Sequence, residues 1–361
     1  MKTDLPTEQG PQPILSLCIS TINRAEFLRE TLETILRQVT DECEVLIVDN
    51  ASTDNTPHVV AELARRCASL RYIRTDSNNG LDSNFDRAVE LSRGEYCWLT
   101  SDDDLLKPGA IAAVLRAVRH DPSAVLVNYE FRDFTMSRVV QDRVLDLDAD
   151  RTYGPWESER MFVELGDSVR YIGSLVMKRA VWLSRQRNLY IGSYYGFVGM
   201  LYQERLPRQV HVIAQPCVSY RIGNAVEFDK QLPEIIFAKW PSLVASLPFS
   251  YRSRRTLHSS EPWKHLYEML VWRGTGVYSR ETYRRWVKPS LHRARDRLVP
   301  ASCALLPCFV VRLGLIAYLS VRSGRLRQLD GLYLAHLKLR NSVQLRRLIP
   351  GAKQLRKLSA H

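Results

Sequence analysis

The order of apolar and polar segments in the first 130 residues is the feature that most restricts the fold of this chain. Short runs rich in Val, Ile, Leu and aromatic residues have the pattern of buried strands, at 14–19, 44–49, 71–75, 95–100 and 124–128. Segments with helical spacing of apolar residues stand between them, at 28–39, 60–67, 82–92 and 108–119. Strands that alternate with helices indicate crossover connections. We therefore predict an α/β fold with a mostly parallel central sheet and flanking helices.

Each of the first four predicted strands is followed by a polar loop. The loops read 20-STINR-24, 49-DNASTDNT-56, 76-DSNNGLDSN-84 and 101-SDDD-104. A single loop of this kind is often only a turn or a helix cap. Ligands of parallel α/β sheets bind at the carboxyl ends of the strands, and all four loops share that edge. Together they favour a binding site.

The absence of several well-known sequence motifs disfavours some kinds of binding site. The chain has no GxGxxG after its first strand and no GxxxxGK[ST], which disfavours a dinucleotide dehydrogenase and a P-loop enzyme. It also lacks HExxH and GxSxG. The adjacent carboxylates of Asp102–Asp104 either form a solvated turn or hold a divalent cation. Mg²⁺ or Mn²⁺ would bridge such carboxylates to a diphosphate.

Three segments resemble family 2 glycosyltransferases, which have the A-type nucleotide-sugar-binding fold. They are 14-ILSLCISTINRAEFLRETLETIL-36, 45-VLIVDNASTDNT-56 and 78-NNGLDSNFDRAVELSRGEYCWLTSDDDLLKPGAI-111. The resemblance implies metal-dependent, inverting transfer of a sugar from a nucleotide-diphosphate sugar. The form GLDSNF…GEYCWLTSDDD is similar to the subgroup that adds deoxy- or dideoxyhexoses such as abequose to lipid-linked O-antigen units, a step of lipopolysaccharide synthesis.

The resemblance also assigns roles to individual residues. A nucleotide-sugar-binding role falls on Ser20, Thr21, Asn23, Asp49, Asn79, Asp102 and Arg221, and a metal-binding role on Asp103 and Asp104. Asp49 would hydrogen-bond the base, and Asp102 would face the ribose or the sugar. Three residues depart from the family pattern, because Ser20, Ile22 and Ser101 replace a proline, a tyrosine and an aspartate. Arg221 either meets the diphosphate or forms a structural ion pair.

The acceptor half of the predicted site lacks its base. The family usually supplies a Glu-Asp pair, whose Asp deprotonates the attacking hydroxyl. The corresponding segment here, 190-YIGSYYGFVGML-201, contains no carboxylate. Asp167 and Glu204 are the nearest candidates, although Asp and Glu are mostly ordinary surface charges. The catalytic base therefore stays unassigned at this stage.

The C-terminal part of the chain is basic. Residues 251–361 hold 23 Lys and Arg against 5 Asp and Glu, a formal charge of +18. The apolar run 301–320 has about the length of a membrane span, but it contains Pro307 and Arg312. A membrane span, a buried core helix and an interfacial helix are the alternatives. The tail 338–358 alternates Leu and Ile with Arg and Lys, as membrane-surface helices do.

These patterns predict a division of the chain into three regions and a cellular location. Residues 1–12 form a flexible leader, 13–225 a catalytic domain with a donor half (13–125) and an acceptor half (126–225), and 226–361 a basic helical region. The seven cysteines are scattered without a CxxC pair, which predicts a reduced, cytoplasmic chain.

Three classes of function follow from these observations. We predict an enzyme at the inner face of the cell membrane, attracted to anionic lipid, whose saccharide acceptor is linked to polyprenyl diphosphate. The alternatives are a nucleic-acid-binding protein that uses the basic region and a catalytically inactive nucleotide- or carbohydrate-binding module. Binding of nucleic acid would leave the Asp102–Asp104 cluster unexplained.

Overall fold

The computed structural model describes residues 12–224, 231–257, 266–291 and 293–321. The chain divides into two compact units. The first unit comprises the chain up to Glu130 together with Asp142–Tyr220 and Leu243–Leu257, and the second comprises Phe131–Gln141, Arg221–Ser242 and the chain from His258. Both units are therefore assembled from separate segments. The predicted leader and the basic tail 338–358 fall outside the described residues.

Strands and helices alternate along the first 130 residues, as predicted. The elements are β1 (Leu15–Thr21), α1 (Ala25–Leu36), β2 (Cys43–Asp49), α2 (Thr56–Ala64), β3 (Leu70–Arg74), α3 (Leu81–Leu91), β4 (Tyr96–Thr100), β5 (Leu105–Leu106), α4 (Ala110–Val118) and β6 (Ala124–Arg132). Their bounds lie within a few residues of the predicted ones. The remaining strands and the helices between them are β7 (Val139–Gln141), β8 (Arg151–Tyr153), α5 (Ser158–Leu165), β9 (Leu175–Lys178), α6 (Arg179–Leu183), α7 (Gly196–Tyr202) and β10 (Val210–Arg221).

The sheet is mixed, and its strand order is β3-β2-β1-β4-β9-β6-β10-β5. The first four strands of this order are parallel to one another. β9 lies antiparallel between β4 and β6, so β6 runs in the direction of β4 without touching it. The predicted fold class is confirmed, with one difference: a strand from far along the chain divides the parallel part from β6.

The buried strands explain why the sheet forms the centre of the first unit. Every residue of β1 and β2 is buried, which suits a sheet covered on both faces by helices. α1 buries Leu28, Leu32 and Ile35 at helical spacing, together with Thr31, and none of its charged residues is buried. In the β1–β2 register Thr21 stands beside Asp49, so the carboxyl ends of these strands lie level at one edge.

The end of the described chain is helical, as predicted. The helices from residue 266 onward span Leu266–Thr275, Arg280–Thr282, Leu298–Leu305 and Cys308–Val321, and the turns of a π-helix follow at Tyr283–Val287. The apolar run 301–320 is broken at Leu306–Pro307, as expected for a proline within a helical pattern. In the part of the chain that the structure describes, no single helix is long and apolar enough to cross a membrane. The bent pair Ala294–Leu305 and Cys308–Tyr318, at 92°, meets the length and composition requirement together.

The helix Cys308–Val321 contributes to a core of the second unit. Val311 and Leu315 pack against Val271 of the helix Leu266–Thr275. Arg312 is buried at the same contact, and its Nε donates a hydrogen bond to the Gly274 carbonyl at 2.9 Å. One face of this helix is therefore covered by protein.

Candidate active site at the carboxyl edge of the sheet

The loops after β1 and β2 form one hydrogen-bonded structure. The backbone N–H of Asn50 donates to the Thr21 carbonyl at 2.8 Å. The Asn23 side-chain carbonyl accepts from the backbone N–H groups of Thr53 and Asp54, at 2.6 and 3.3 Å. Asn23 adopts a left-handed backbone with φ of 53°, which Asn tolerates better than most residues. Two loops predicted to share an edge are thus in direct contact.

Asn50 joins the loop after β3 to this structure. Its Oδ1 accepts from the backbone N–H of Asn79 at 2.9 Å, and its Nδ2 donates to Asn78 Oδ1 at 2.6 Å. Asn50 is buried, whereas Asn79 is exposed. The sequence analysis singled out Asp49 and Asn79 but missed Asn50, although its place directly after a buried strand was a signal.

Asp49 is fully buried at the end of β2. Its Oδ1 accepts from the Ser52 N–H at 2.9 Å, its Oδ2 accepts from the Tyr72 hydroxyl, and Arg74 Nε lies 3.7 Å from Oδ2. Burial, with the Asp49 hydrogen bond as the next cause, raises the pKa of Tyr72. Asp49 therefore holds the loop after β2 in shape, and its predicted contact with a nucleotide base stays a prediction.

Asp102 and Asp103 both pair with the guanidinium of Arg24. Arg24 Nε lies 3.0 Å from Asp102 Oδ1, and Arg24 Nη2 donates to Asp103 Oδ2. Thr21 Oγ1 donates to Asp102 Oδ2 at 2.7 Å, and the Ser101 hydroxyl donates to Asp103. Burial raises the pKa of Asp102 to about 7, opposed by Arg24 and reinforced by the charge of Asp103. The loops after β1 and β4 thus meet at this carboxylate pair.

Asp104 has a different environment from its two neighbours. It is buried, its Oδ2 accepts from the Tyr171 hydroxyl at 2.7 Å, and its backbone carbonyl accepts from Thr31 Oγ1 at 2.8 Å. The Tyr171 ring packs on Tyr129 and Tyr220, with centroid distances of 4.5 and 5.1 Å. Burial and the Asp104 charge raise the pKa of Tyr171. Asp104 therefore binds an aromatic cluster, apart from the Asp102–Asp103 pair.

The contacts of Asp102, Asp103 and Asp104 show which of these carboxylates could hold the predicted divalent cation. Across the described ranges, no three His, Cys, Asp or Glu side chains converge as a metal cage would require. Mg²⁺ commonly uses one or two carboxylates and completes its shell with water and substrate phosphates. Asp102 and Asp103 suit such a shared site, since they already accommodate the Arg24 guanidinium between them. Asp104 does not join them in this structure.

Ser20 completes the set of loop residues placed at the edge. Asn84 of α3 donates through Nδ2 to Ser20 Oγ at 2.7 Å and to the Val48 carbonyl at 2.8 Å. The first turn of α3 is thereby attached to the carboxyl ends of β1 and β2. Of the residues predicted from the sequence, Ser20, Thr21, Asn23, Asp49, Asn79, Asp102 and Asp103 lie together here.

Besides Asp104, three predicted residues do not lie in this hydrogen-bonded group at the sheet edge. Glu204 is 60% exposed, and its Oε1 lies 2.5 Å from Nη1 of the buried Arg185. The side chain of Asp167 is outside the described part of the chain. Arg221 belongs to the second unit, where its Nη1 donates to the Phe134 carbonyl at 2.8 Å. Their roles as base or diphosphate ligand stay predictions.

A family of known proteins matches the part of the chain that contains the four strand-end loops. Residues 16–186 match the model of the family described as "Glycosyl transferase family 2". The abequosyltransferase RfbV of Salmonella typhimurium is 38% identical over 103 residues, 27% of this chain and 31% of RfbV. A chondroitin synthase of Escherichia coli is 32% identical over 115 residues, 32% of this chain and 17% of the synthase. The match thus spans less than a third of each of these relatives.

Solved structures resemble the fold over most of its length. TarS 1–349 of S. aureus, in complex with UDP-GlcNAc, has a TM-score of 0.52 at 14% identity and covers 91% of this chain and 92% of its own. The mannosyltransferase PcManGT of Pyrobaculum calidifontis, in complex with GDP-Man and Mn²⁺, has a TM-score of 0.51 at 15% identity and covers 91% and 87%. These likenesses establish the A-type fold. With the family match, they confirm the predicted resemblance: residues 16–186 of this chain match the glycosyl transferase family 2 domain.

Proposed function

We propose that this protein transfers a sugar from a nucleotide-diphosphate sugar to a hydroxyl of a saccharide acceptor, with inversion at the anomeric carbon. The observation that carries the proposal is that hydrogen bonds join the four strand-end loops, with the Asp102–Asp103 pair where the loops after β1 and β4 meet. A donor bound there would meet buried hydrogen-bonding groups and a cation-binding carboxylate pair within one edge of the sheet. TarS with UDP-GlcNAc and PcManGT with GDP-Man show that related folds bind such donors.

Different residues of the proposed site act on different parts of the donor. Asp103, with Asp102 beside it, would hold a Mg²⁺ or Mn²⁺ ion, and such an ion would supply positive charge to the diphosphate of the leaving group. Thr21 and Arg24 hold Asp102 in place from the β1 loop. Asp49, Asn50 and Asn79 form the wall against which the nucleotide lies. Asp104 fixes the β4 loop to Tyr171.

We propose the transferred sugar and its acceptor from the motif resemblance to abequosyltransferases. RfbV is named an abequosyltransferase and is 38% identical over 103 residues. A deoxy- or dideoxyhexose donor and a lipid-linked saccharide acceptor therefore form the first set of substrates to test. Such an acceptor would place the protein in cell-surface polysaccharide or O-antigen synthesis.

The C-terminal helices support a location at the cytoplasmic face of a membrane. Large apolar side chains are exposed there, namely Leu298, Val299, Leu305, Leu306, Phe309, Val310, Leu313 and Tyr318. Exposed basic residues accompany them, namely Arg284, Arg285, Lys288, Arg293, Arg295 and Arg297. Apolar side chains beside Lys and Arg are the pattern of helices that lie in the interface of anionic lipid. We therefore propose peripheral attachment through this helix pair.

A donor screen tests the proposed activity. UDP-, GDP-, CDP- and dTDP-sugars are incubated with the protein, an acceptor oligosaccharide and Mg²⁺ or Mn²⁺, and released nucleotide and glycosylated product are measured. We expect transfer from one class of donor, and its loss on addition of excess chelator. Binding of a nucleotide sugar without turnover would identify an inactive binding module. Full activity in chelator would contradict the proposed metal.

A further inference from the structure

The acceptor side of the site lacks a carboxylate of its own. Transfer to a hydroxyl requires a group that takes the hydroxyl proton, and a carboxylate is a common choice. The segment 190–201, which includes the start of α7, contains neither Asp nor Glu. Glu204, a little farther on, is held by Arg185. The tertiary contacts of residues 190–196 therefore decide where a proton acceptor can come from.

A carboxylate from α3 lies at this segment. Asp82, in the first turn of α3, accepts from the backbone N–H of Tyr194 through Oδ2 at 2.8 Å. It accepts from the backbone N–H of Gly196 through Oδ1 at 3.1 Å. The carboxylate thus stands in front of the first residue of α7, although Asp82 precedes that residue by 114 positions.

The local backbone is adapted to this carboxylate. A Cβ added to Gly196 would stand 3.1 Å from Asp82 Oδ1 and 3.3 Å from its Cγ, so the glycine makes room for the side chain. Tyr194 adopts a left-handed backbone with φ of 67°, which is uncommon for a bulky residue. Strained backbone of this kind persists where surrounding contacts impose it, and it gathers at functional sites.

Asp82 is also attached to the donor side. Two residues later on the same helix, Asn84 bonds Ser20 and the Val48 carbonyl, at the ends of β1 and β2. Asp82 is only partly buried, and it lines a pocket with Tyr190, Gly196 and Phe197.

We propose that Asp82 is the general base of the transfer reaction, supplied by α3 in place of the carboxylate that residues 190–201 lack. This assignment rests on the proposed function. The acceptor hydroxyl gives its proton to the Asp82 carboxylate, while its oxygen forms a bond to the anomeric carbon of the donor. The bond from that carbon to the diphosphate breaks, and its electron pair leaves with the nucleoside diphosphate. Asp82 then releases the proton to water.

Capping of α7 is the alternative role for Asp82, and substitution can separate the two. Asn and Ser are good acceptors for backbone N–H groups at a helix start, but neither takes a proton near neutral pH. Asp82→Asn and Asp82→Ser should therefore keep the start of α7 and lose the base. Asp86, one turn further along α3, is a matched control. It also lines the pocket, but it bonds Trp182 Nε1 at 2.9 Å and Arg187 at 3.0 Å.

The experiment measures transfer by the full-length protein with the donor and acceptor found in the screen. For Asp82→Asn and Asp82→Ser we expect kcat to fall about 10²–10⁴-fold, the usual contribution of a general base. The donor dissociation constant, measured by calorimetry, should stay within about threefold of the native value because the donor loops are unchanged. Residual turnover of both variants should rise with pH above neutrality, since hydroxide then removes the proton. Asp86→Asn should show neither effect.

The outcomes distinguish this assignment from the proposed function. If the native protein transfers no sugar from any donor, the proposed function fails, and the base assignment fails with it. If the native protein transfers sugar and both Asp82 variants keep kcat within about threefold, Asp82 is only a cap and the assignment alone is wrong. The same conclusion follows if kcat drops but its pH profile keeps the native shape.

Discussion

The carboxyl edge of the sheet and the C-terminal helices use their side chains in opposite ways. At the edge, charged and polar groups such as Asp49, Asn50 and Asp104 are buried and hydrogen-bonded. In the helices, apolar groups such as Leu298 and Phe309 are 68% and 56% exposed. Each arrangement is unfavourable for an isolated protein in water unless something compensates it.

The compensation differs between the two regions. Buried carboxylates at the edge are stabilised by donors from neighbouring loops, so the arrangement is complete within the fold. Among the described residues, apolar side chains such as Leu298 and Phe309 stay exposed to solvent, and an external partner would cover them. The edge therefore points to a small ligand, and the helices point to an extended surface.

The largest expected effect comes from the carboxylate pair. Asp103→Asn should lower divalent-dependent turnover by at least about 100-fold, because it would remove a charge from the proposed metal site. Its melting temperature should change little, since Asn keeps an oxygen that accepts from the Ser101 hydroxyl and Arg24 keeps Asp102 as a partner. Asp142→Asn, at an 81% exposed side chain, is the control and should keep native turnover. Normal turnover by Asp103→Asn would remove the metal role.

A smaller, mixed effect is expected at Asp49. Asp49→Ala should raise the donor KM by about 10–150-fold if a charge-assisted hydrogen bond to the base, worth about 1.5–3 kcal/mol, is lost. Because Asp49 also holds the Ser52 N–H and the Tyr72 hydroxyl, the free energy of unfolding should fall as well. Donor titration and urea denaturation measure the two effects. Lower stability with an unchanged KM would make Asp49 purely structural.

Gly94 belongs to a motif segment but lies just before β4, at the amino ends of β1 and β4, so it tests whether every motif residue serves the ligand. A Cβ at this position would stand 2.6 Å from the Ser16 backbone nitrogen and 2.6 Å from its Oγ. Gly94→Ala should therefore lower the free energy of unfolding by about 1–3 kcal/mol, as overpacking does. The donor KM of the folded fraction should stay native. A change in KM without loss of stability would move Gly94 from the core to the site.

The smallest expected effect concerns the helices. The full chain should sediment with anionic vesicles and release only in part at high salt, because salt screens charge over about 8 Å but leaves apolar contact intact. Replacing Leu305, Phe309 and Leu313 with Ser should make the release complete. Trp156→Ser, at another exposed apolar residue outside these helices, should behave as the native protein. Equal binding by all three proteins, or none by the native chain, would end the membrane proposal.

Local pattern was sufficient for much of the fold. Apolar runs and helical spacing placed β1 to β4 and α1 to α4 to within a few residues, because these periods are local properties of the chain. The same reasoning could not predict the position of β9 in the sheet, because the neighbours of this four-residue strand are distant in the chain. Nor could it separate Asp103 from Asp104, which stand side by side in the sequence yet bond Arg24 and Tyr171 respectively.

The sequence by itself determined the family resemblance, the alternating strands and helices and the polar loops at one edge, since each depends on residues close together in the chain. Only the tertiary structure decided which loops touch and that the Asp82 carboxylate reaches Tyr194 and Gly196. The Asp82–Tyr194 contact joins residues 112 positions apart, and the Tyr171–Asp104 contact joins residues 67 apart. No local period encodes such pairs, because they form only when the helices and strands pack against one another.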